Sequence, residues 1–318
     1  VCKDIASMSI TLLRAAGLQT YPAMTMAGSR IEDLPADQFN HCVVAWERAP
    51  GDFVMLDPTW VPFNNDVWSK LETEQQYVIG HPDGVALKEI RYSPPEESPL
   101  LVTNTATLSA DGTLTGTLRL EGKGALDGRL HGFVNGVQKR ALGPALARLL
   151  GRAGAAVRVG KVAHRAPDDF TGDMWLTAEY EIARFALPVG EALELRPADA
   201  NAVKEHGGLF RAGATDWPQE RKTDILLYNT QRLEIEERIR LPVGYDLADP
   251  PAFAAVTETL AAFTGKAAQE GRTLRLSARV DVKRRQIPPA QYAGFRKAIA
   301  ALDDFAARPI RVVKGGAR

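Results

Sequence analysis

The sequence predicts an α+β chain in two parts: a cysteine-bearing helix with an antiparallel sheet, then a β-rich, sandwich-like part with added helices. Three observations carry this. Residues 4–16 place Ile5, Met8, Leu12 and Ala16 at helical spacing, with Ile10 and Leu13 widening the stripe. Two strand-like runs, 39–46 and 53–57, flank Ala49-Pro50-Gly51-Asp52, whose residue types favour a tight turn. Beyond Ser93-Pro94-Pro95-Glu96-Glu97-Ser98-Pro99 the texture becomes period-two alternation, the pattern of half-buried strands.

The elements follow in order. Gly17 is a natural stop for the first helix, and 18–26 reads as a strand leaving it, followed by a polar loop at 28–38. The runs 39–46 and 53–57 then form an antiparallel hairpin that Pro58 ends, and 59–92 is irregular apart from a short strand at 76–79. The prolines of 93–99 forbid helix and its charges resist burial, which marks 93–103 as a linker between parts at 1–92 and 104–318. Strands at 104–108 and 114–120 flank Ser109-Ala110-Asp111-Gly112, a hairpin signal. Residues 138–152 predict a helix that Gly143-Pro144 breaks or restarts. In 174–187, Met174, Leu176, Ala178, Tyr180 and Ile182 share one face and Trp175, Thr177, Glu179 and Glu181 the other. Runs 231–241 and 273–282 alternate similarly, Glu234-Ile235-Glu236-Glu237-Arg238 reading as a solvated charged face, and a helix at 289–307 closes the chain. The economical assembly of the second part is an antiparallel sandwich with added helices.

Composition narrows the function classes. Lys plus Arg and Asp plus Glu are 39 each, so no net field steers the chain toward nucleic acid or an anionic membrane. No apolar run reaches transmembrane length. Glycine-rich phosphate loops and basic aromatic patches are absent, so no cofactor is expected. Asp168-Asp169 lies in no calcium-type loop, so no metal is expected either. His206-Gly207-Gly208-Leu209-Phe210 echoes an esterase oxyanion loop, but the chain has no Gly-x-Ser-x-Gly elbow and the stretch reads as a turn. Two cysteines, Cys2 and Cys42, do not make a disulfide scaffold at this length.

Three residues combine into chemistry: Cys2 at a helix N-terminus, His41 on the first hairpin strand, and Asp57 at the end of the second. A helix N-terminus presents unpaired N–H groups and about half a positive charge, which favours thiolate over thiol. The same N–H groups can hold an oxyanion when the thiolate attacks a carbonyl. An imidazole beside the thiol polarises it and later protonates a leaving amine, and a carboxylate fixes the imidazole's tautomer. Alternation puts His41 with Val43 on one strand face and Cys42 on the other, in the core. Asp57 shares a face with Met55 and Phe53, so a hairpin register can bring it to His41. Asn40 and Trp60 are candidates to line a cleft, and Trp68 follows the same motif.

Cys-Lys-Asp opening a helix that ends Leu-Leu-Arg-Ala-Ala-Gly, then Phe-Asn-His-Cys-Val-Val-Ala, then Val-Met-Leu-Asp-Pro-Thr-Trp resembles the bacterial transglutaminase-like superfamily. The resemblance spans the first 80 residues in three ordered motifs, and more weakly a multidomain group with flanking β-rich domains of unknown function. It implies a papain-like core in which Cys2 is the nucleophile, His41 the general base and acid, and Asp57 the orienting group. It further implies acyl transfer on peptide or protein amides through a thioester, in the cell envelope, periplasmic or secreted. Hydrolysis, as in a cysteine peptidase or amidase, is the favoured outcome. Protein-glutamine transglutamination is the alternative, and a binding or assembly module with a vestigial triad is the reading from another class. Only Val1 precedes the cysteine, so an N-terminal part of the core is expected to be missing, and that segment is an expected associate.

Overall fold

The computed structural model describes residues 1–315 except 33, 35, 36, 61–72, 85, 86, 138–140, 152–155, 170, 202, 204–208, 211 and 213–217. The chain opens with helix α1, Cys2–Ala15, which ends where Gly17 takes φ 86°, a left-handed conformation that suits glycine. A five-stranded sheet follows: β1 Gln19–Thr25, β2 His41–Ala49, β3 Asp52–Leu56, β4 Gln76–Ile79 and β5 Lys88–Glu89. Its spatial order is β3-β2-β1-β4-β5, with every neighbouring pair antiparallel.

α1 lies on this sheet through a face other than the expected one. Ala6 and Ile10 are buried, and with the partly buried Cys2 and Leu13 they pack on Cys42, Val44 and Met24. Met8 and Leu12 face outward, 64% and 65% exposed. Both stripes have helical spacing. The inner one carries the small side chains of Cys2 and Ala6, which let the helix approach the strands closely, and the bulkier stripe is left outside. The opposite sheet face gathers Ala23, Val43, Ala45, Met55, Tyr77 and Ile79. The run 42–45 is therefore buried on both sides, which accounts for its unbroken apolar character.

The stretch expected as a linker is packed. A 3-10 turn at Pro95–Glu97 leads into a strand that starts at Pro99, five residues before the expected 104. Ser93 and Ser98 are buried, and their polar groups are used: Ser93 N–H donates to Thr73 Oγ1, and Ser98 Oγ accepts from Ala125 N–H. Proline's fixed φ suits this extended path, so the same residues that forbid helix can lead a strand.

An eight-stranded sheet organises the rest. Its spatial order is Val256–Thr257, Ala261–Glu270, Thr273–Val282, Gln231–Arg240, Pro99–Leu108, Leu114–Gly122, Trp175–Ala183 and Ala156–His164. The expected all-antiparallel sandwich is corrected at its centre, where Gln231–Arg240 runs parallel to Pro99–Leu108. Helices pack on the strands: α2 Ala125–Gly136 on Pro99–Leu108 and Leu114–Gly122, α3 Leu142–Leu150 on Ala156–His164, and α4 Pro289–Ala307 on Ala261–Glu270 and Thr273–Val282. A four-stranded sheet, Leu187–Val189, Ala192–Leu195, Ile310–Lys314 and Tyr245–Ala248, also feeds the main core. The α+β class thus holds, with helices as well as a second sheet around the large one. α2 gave no signal in the sequence because its first turn, 125–128, is buried on every side and its buried residues include the polar Asp127 and His131, which blurs an amphipathic period. α3 starts at Leu142, with Pro144 in the first turn, where a missing N–H leaves no helical bond unmade.

Strand alternation reads correctly at 174–182, where Met174, Leu176, Ala178, Tyr180 and Ile182 are all buried. It fails as a charged face at Glu237. That side chain shares the Ile235 face, is buried, and accepts the N–H groups of Ala198 and Asp199. The front sheet is tied to the turn after Thr273–Val282: Tyr92 OH donates to the Lys283 carbonyl at 2.9 Å, and Arg284 pairs with Glu74 at 2.9 Å. Arg30 reaches Gln286 at 2.6 Å from the loop after β1. Among the described residues no helix is long and apolar enough to cross a membrane.

The inward face of α1 is testable by urea unfolding. Ile10→Ala is expected to cost about 2–3 kcal/mol by opening a cavity. Met8→Ala should stay within about 0.5 kcal/mol. Equal losses would place the helix in the other orientation.

Candidate functional site

Cys2 is the first residue of α1, so its thiol sits among N–H groups that have no partner within the helix. His41 is the first residue of β2, and Asp57 follows β3 directly, before the 3-10 turn Pro58–Trp60. The β2–β3 register pairs Val44 with Leu56. Continued past the end of β3, it sets Thr59 opposite His41 and Asp57 diagonal to it. A diagonal pair lies within reach of a long side chain and a ring.

That reach is realised. His41 Nε2 and Asp57 Oδ2 are 2.7 Å apart, with the carboxylate fully buried and the imidazole 13% exposed. The other carboxylate oxygen, Oδ1, accepts from Thr59 N–H at 2.9 Å and from Thr59 Oγ1 at 2.5 Å. Thr59 Oγ1 also lies 3.4 Å from His41 Nε2. Asp57 is thereby held from both sides, and the imidazole's Nε2 is committed to it. This leaves Nδ1 as the ring nitrogen that can face Cys2, whose thiol the imidazole influences.

The electrostatics follow from these contacts. The hydrogen bond to Asp57 is the chief reason that the His41 imidazolium persists, its pKa pushed up to about 9. Burial opposes this, while the charge of Asp57 and the contact with Cys2 add to it. The Cys2 thiol is held below its ordinary value, first by the backbone N–H of Cys42, then by the His41 side chain, with Lys3 N–H a lesser donor. Both shifts act in the same direction, favouring a thiolate beside an imidazolium, the pairing in which a thiol is most nucleophilic.

The remaining candidates separate. Asn40 uses its amide oxygen and nitrogen on the backbone of Ala27, at 2.8 and 3.1 Å, and so braces the loop after β1. The side chain of Trp60 and the whole of Trp68 lie outside the described residues, as do residues 206–208; Leu209 and Phe210 are buried. Cys42 is 6% exposed, and burial pushes its thiol up. Asp169 is bonded to Thr171 and Arg165. Among the described residues no three His, Cys, Asp or Glu side chains gather as a metal site would need. Thr59 was missed by the sequence reading. Its signal was Asp-Pro-Thr, an acceptor two residues before a hydroxyl donor, the spacing of an Asx turn.

Comparison with known proteins bears on the fold. Residues 207–312 match the family described as a Domain of Unknown Function with solved-structure structure (DUF3858), a span that excludes Cys2, His41 and Asp57. No curated protein matches the chain in sequence. A crystal structure of a Parabacteroides distasonis protein, described as a "putative protease", superposes with a TM-score of 0.53 at 13% identity. The superposition covers 98% of this chain and 44% of that one, so the chain spans less than half of that protein and shares its fold there.

Thiol alkylation checks the electrostatics. Cys2 should react with iodoacetamide at pH 6 to 7 roughly tenfold or more faster than a free thiol, with a midpoint below the ordinary thiol value. His41→Ala should move that midpoint upward. Equal labelling of Cys2 and Cys42 at free-thiol rates would count against an activated thiol.

Proposed function

We propose that the chain carries a cysteine peptidase or amidase site of the transglutaminase-like kind, with Cys2, His41 and Asp57 as its reacting and orienting groups. The observation that supports this reading is the hydrogen bond from His41 to the buried Asp57 carboxylate, with the Cys2 thiol at the helix N-terminus lowered by the same imidazole. A protease-like neighbour of the same fold agrees with it, at the level of fold.

On this reading the Cys2 thiolate attacks an amide carbonyl carbon, and the developing oxyanion is met by N–H groups near the sulfur. The Cys42 and Lys3 amides, which bond the resting thiolate, are the donors at hand. His41 gives the proton it carries to the departing amine and is left neutral, with a thioester on Cys2. The neutral imidazole then takes a proton from water and the hydroxide adds to the thioester; collapse breaks the C–S bond, releases the acid and leaves Cys2 a thiolate beside the reprotonated His41. Asp57 keeps Nε2 engaged throughout, and so holds Nδ1 toward Cys2. Thr59 is a positioning residue, because it binds the carboxylate oxygen that His41 does not. An amine in place of water gives transamidation by the same steps. We also read 1–92 as the catalytic part, 104–318 as the part that presents a peptide or protein substrate, and the cell envelope as the place of action.

The expected pH profile has two limbs. Rate rises as Cys2 ionises, below the ordinary thiol range, and falls as pH passes the His41 value of about 9, because the imidazolium is then lost. Asp57→Asn should bring the alkaline limb down toward 6.5 and lower turnover roughly 100-fold or more. Thr59→Val should lower turnover by roughly tenfold with KM unchanged.

A glutamine peptide with a tagged amine separates the reactions. Free acid released by the parent chain, and lost by roughly a thousandfold in Cys2→Ala, is the expected result. A tagged conjugate would make the protein a transglutaminase. Neither product across a peptide panel, with Cys2 reacting as an ordinary thiol, would leave the binding-module reading.

A further inference from the structure

Cys42 lies on the strand face away from His41, and alternation alone would separate it from the reactive thiol. The packing of α1 reverses that conclusion for Cys2. The helix lies on the Cys42 face, so Cys2, Ala6 and Ile10 come down on Cys42 and Val44. Cys2 packs on the cluster that contains Cys42, near enough for the Cys42 backbone N–H to favour its thiolate. The two side chains therefore flank one peptide unit. Both are free thiols. The Cys42 thiol rests 3.9 Å from the Val43 carbonyl, a weak contact that costs little to give up.

The two sulfurs differ in the way that a redox pair requires. Cys2 is partly exposed, while Cys42 is 6% exposed. Burial, and then the charge of Cys2, hold the Cys42 thiol in its protonated form. An oxidant arriving from solvent thus meets Cys2 first, and Cys42 waits behind it.

We propose that Cys2 and Cys42 are a peroxide-responsive pair: oxidised Cys2 is captured by Cys42 as a disulfide, which switches the candidate site off reversibly and protects its thiol. The inference rests on the reading of Cys2 as the activated thiol of that site. The Cys2 thiolate attacks one oxygen of a hydroperoxide, the O–O bond breaks, and Cys2 becomes a sulfenic acid as an alcohol or water leaves. The Cys42 sulfur then attacks the Cys2 sulfur, the S–O bond breaks, and the departing hydroxide leaves as water with the Cys42 proton. Two thiols and one peroxide thus yield one disulfide, one water and one alcohol, or two waters from hydrogen peroxide. A dithiol reductant restores both thiols by exchange through a mixed disulfide. Without Cys42 the sulfenic acid proceeds to sulfinic acid, which a dithiol does not reverse.

The test treats the full chain with a few equivalents of hydrogen peroxide, and follows intact mass, the Cys2–Cys42 peptide cross-link and Cys2 alkylation by iodoacetamide. The parent chain should lose two hydrogens, yield the cross-linked peptide, and alkylate roughly tenfold or more slower until dithiothreitol restores it. Cys42→Ala and Cys42→Val, one smaller and one filling the site, should instead gain two oxygens on Cys2 and stay inactive toward iodoacetamide after dithiothreitol. A parent chain whose Cys2 alkylates fast but gains two oxygens while Cys42 remains a free thiol overturns the switch and leaves the proposed function standing. Slow alkylation before peroxide overturns the proposed function. In that case the peptide map still decides the pair, because a missing cross-link overturns it and a reversible one supports it.

Discussion

The hydrogen bond between His41 and the buried carboxylate of Asp57 is the constraint on which the candidate site depends. A carboxylate with no exposure is tolerated only where its oxygens are met by donors, and both are: Oδ2 by the imidazole and Oδ1 by Thr59. The cost of burying the charge is offset by keeping the imidazole protonated, and the imidazolium in turn favours a thiolate at Cys2.

The fold supplies this line through two separate packings. The β2–β3 hairpin brings 41 and 57 together by register, with the carboxylate just beyond the end of its strand, where the backbone can turn to bind it from behind. α1 brings its N-terminus to the same place by lying on β1 and β2 through small side chains. The approach that seats Cys2 by His41 also seats it by Cys42, so the lowering of the thiol's pKa and the proximity of a second cysteine have one cause. The contacts of Tyr92, Glu74 and Arg30 with 283–286 then tie the front sheet to the turn after Thr273–Val282.

Legibility in the sequence divides along physical lines. The positions of Cys2, His41 and Asp57 at a helix start, a strand start and a strand end were readable, because each element announces itself by a short-range period or a turn residue. Thr59 was readable in principle as an Asx-turn partner but carried no weight without the register. α2 was not readable, since a first turn buried on every side and a buried Asp127 and His131 blur the amphipathic contrast that marks a helix. Glu237 was misread because its neighbours are charged and exposed, while the donors it serves, at Ala198 and Asp199, lie far away in sequence.

The chain alone thus marks candidate residues for chemistry, and the elements that hold them, because helix and strand periods are local. Tertiary structure decided the rest: which of two apolar stripes of α1 turns inward, that a parallel pair joins Gln231–Arg240 to Pro99–Leu108, and that Cys42 is the neighbour of Cys2. Those outcomes rest on the fit of surfaces contributed by distant segments. Side-chain volume and register across elements settle that fit, and no window of the sequence contains both surfaces.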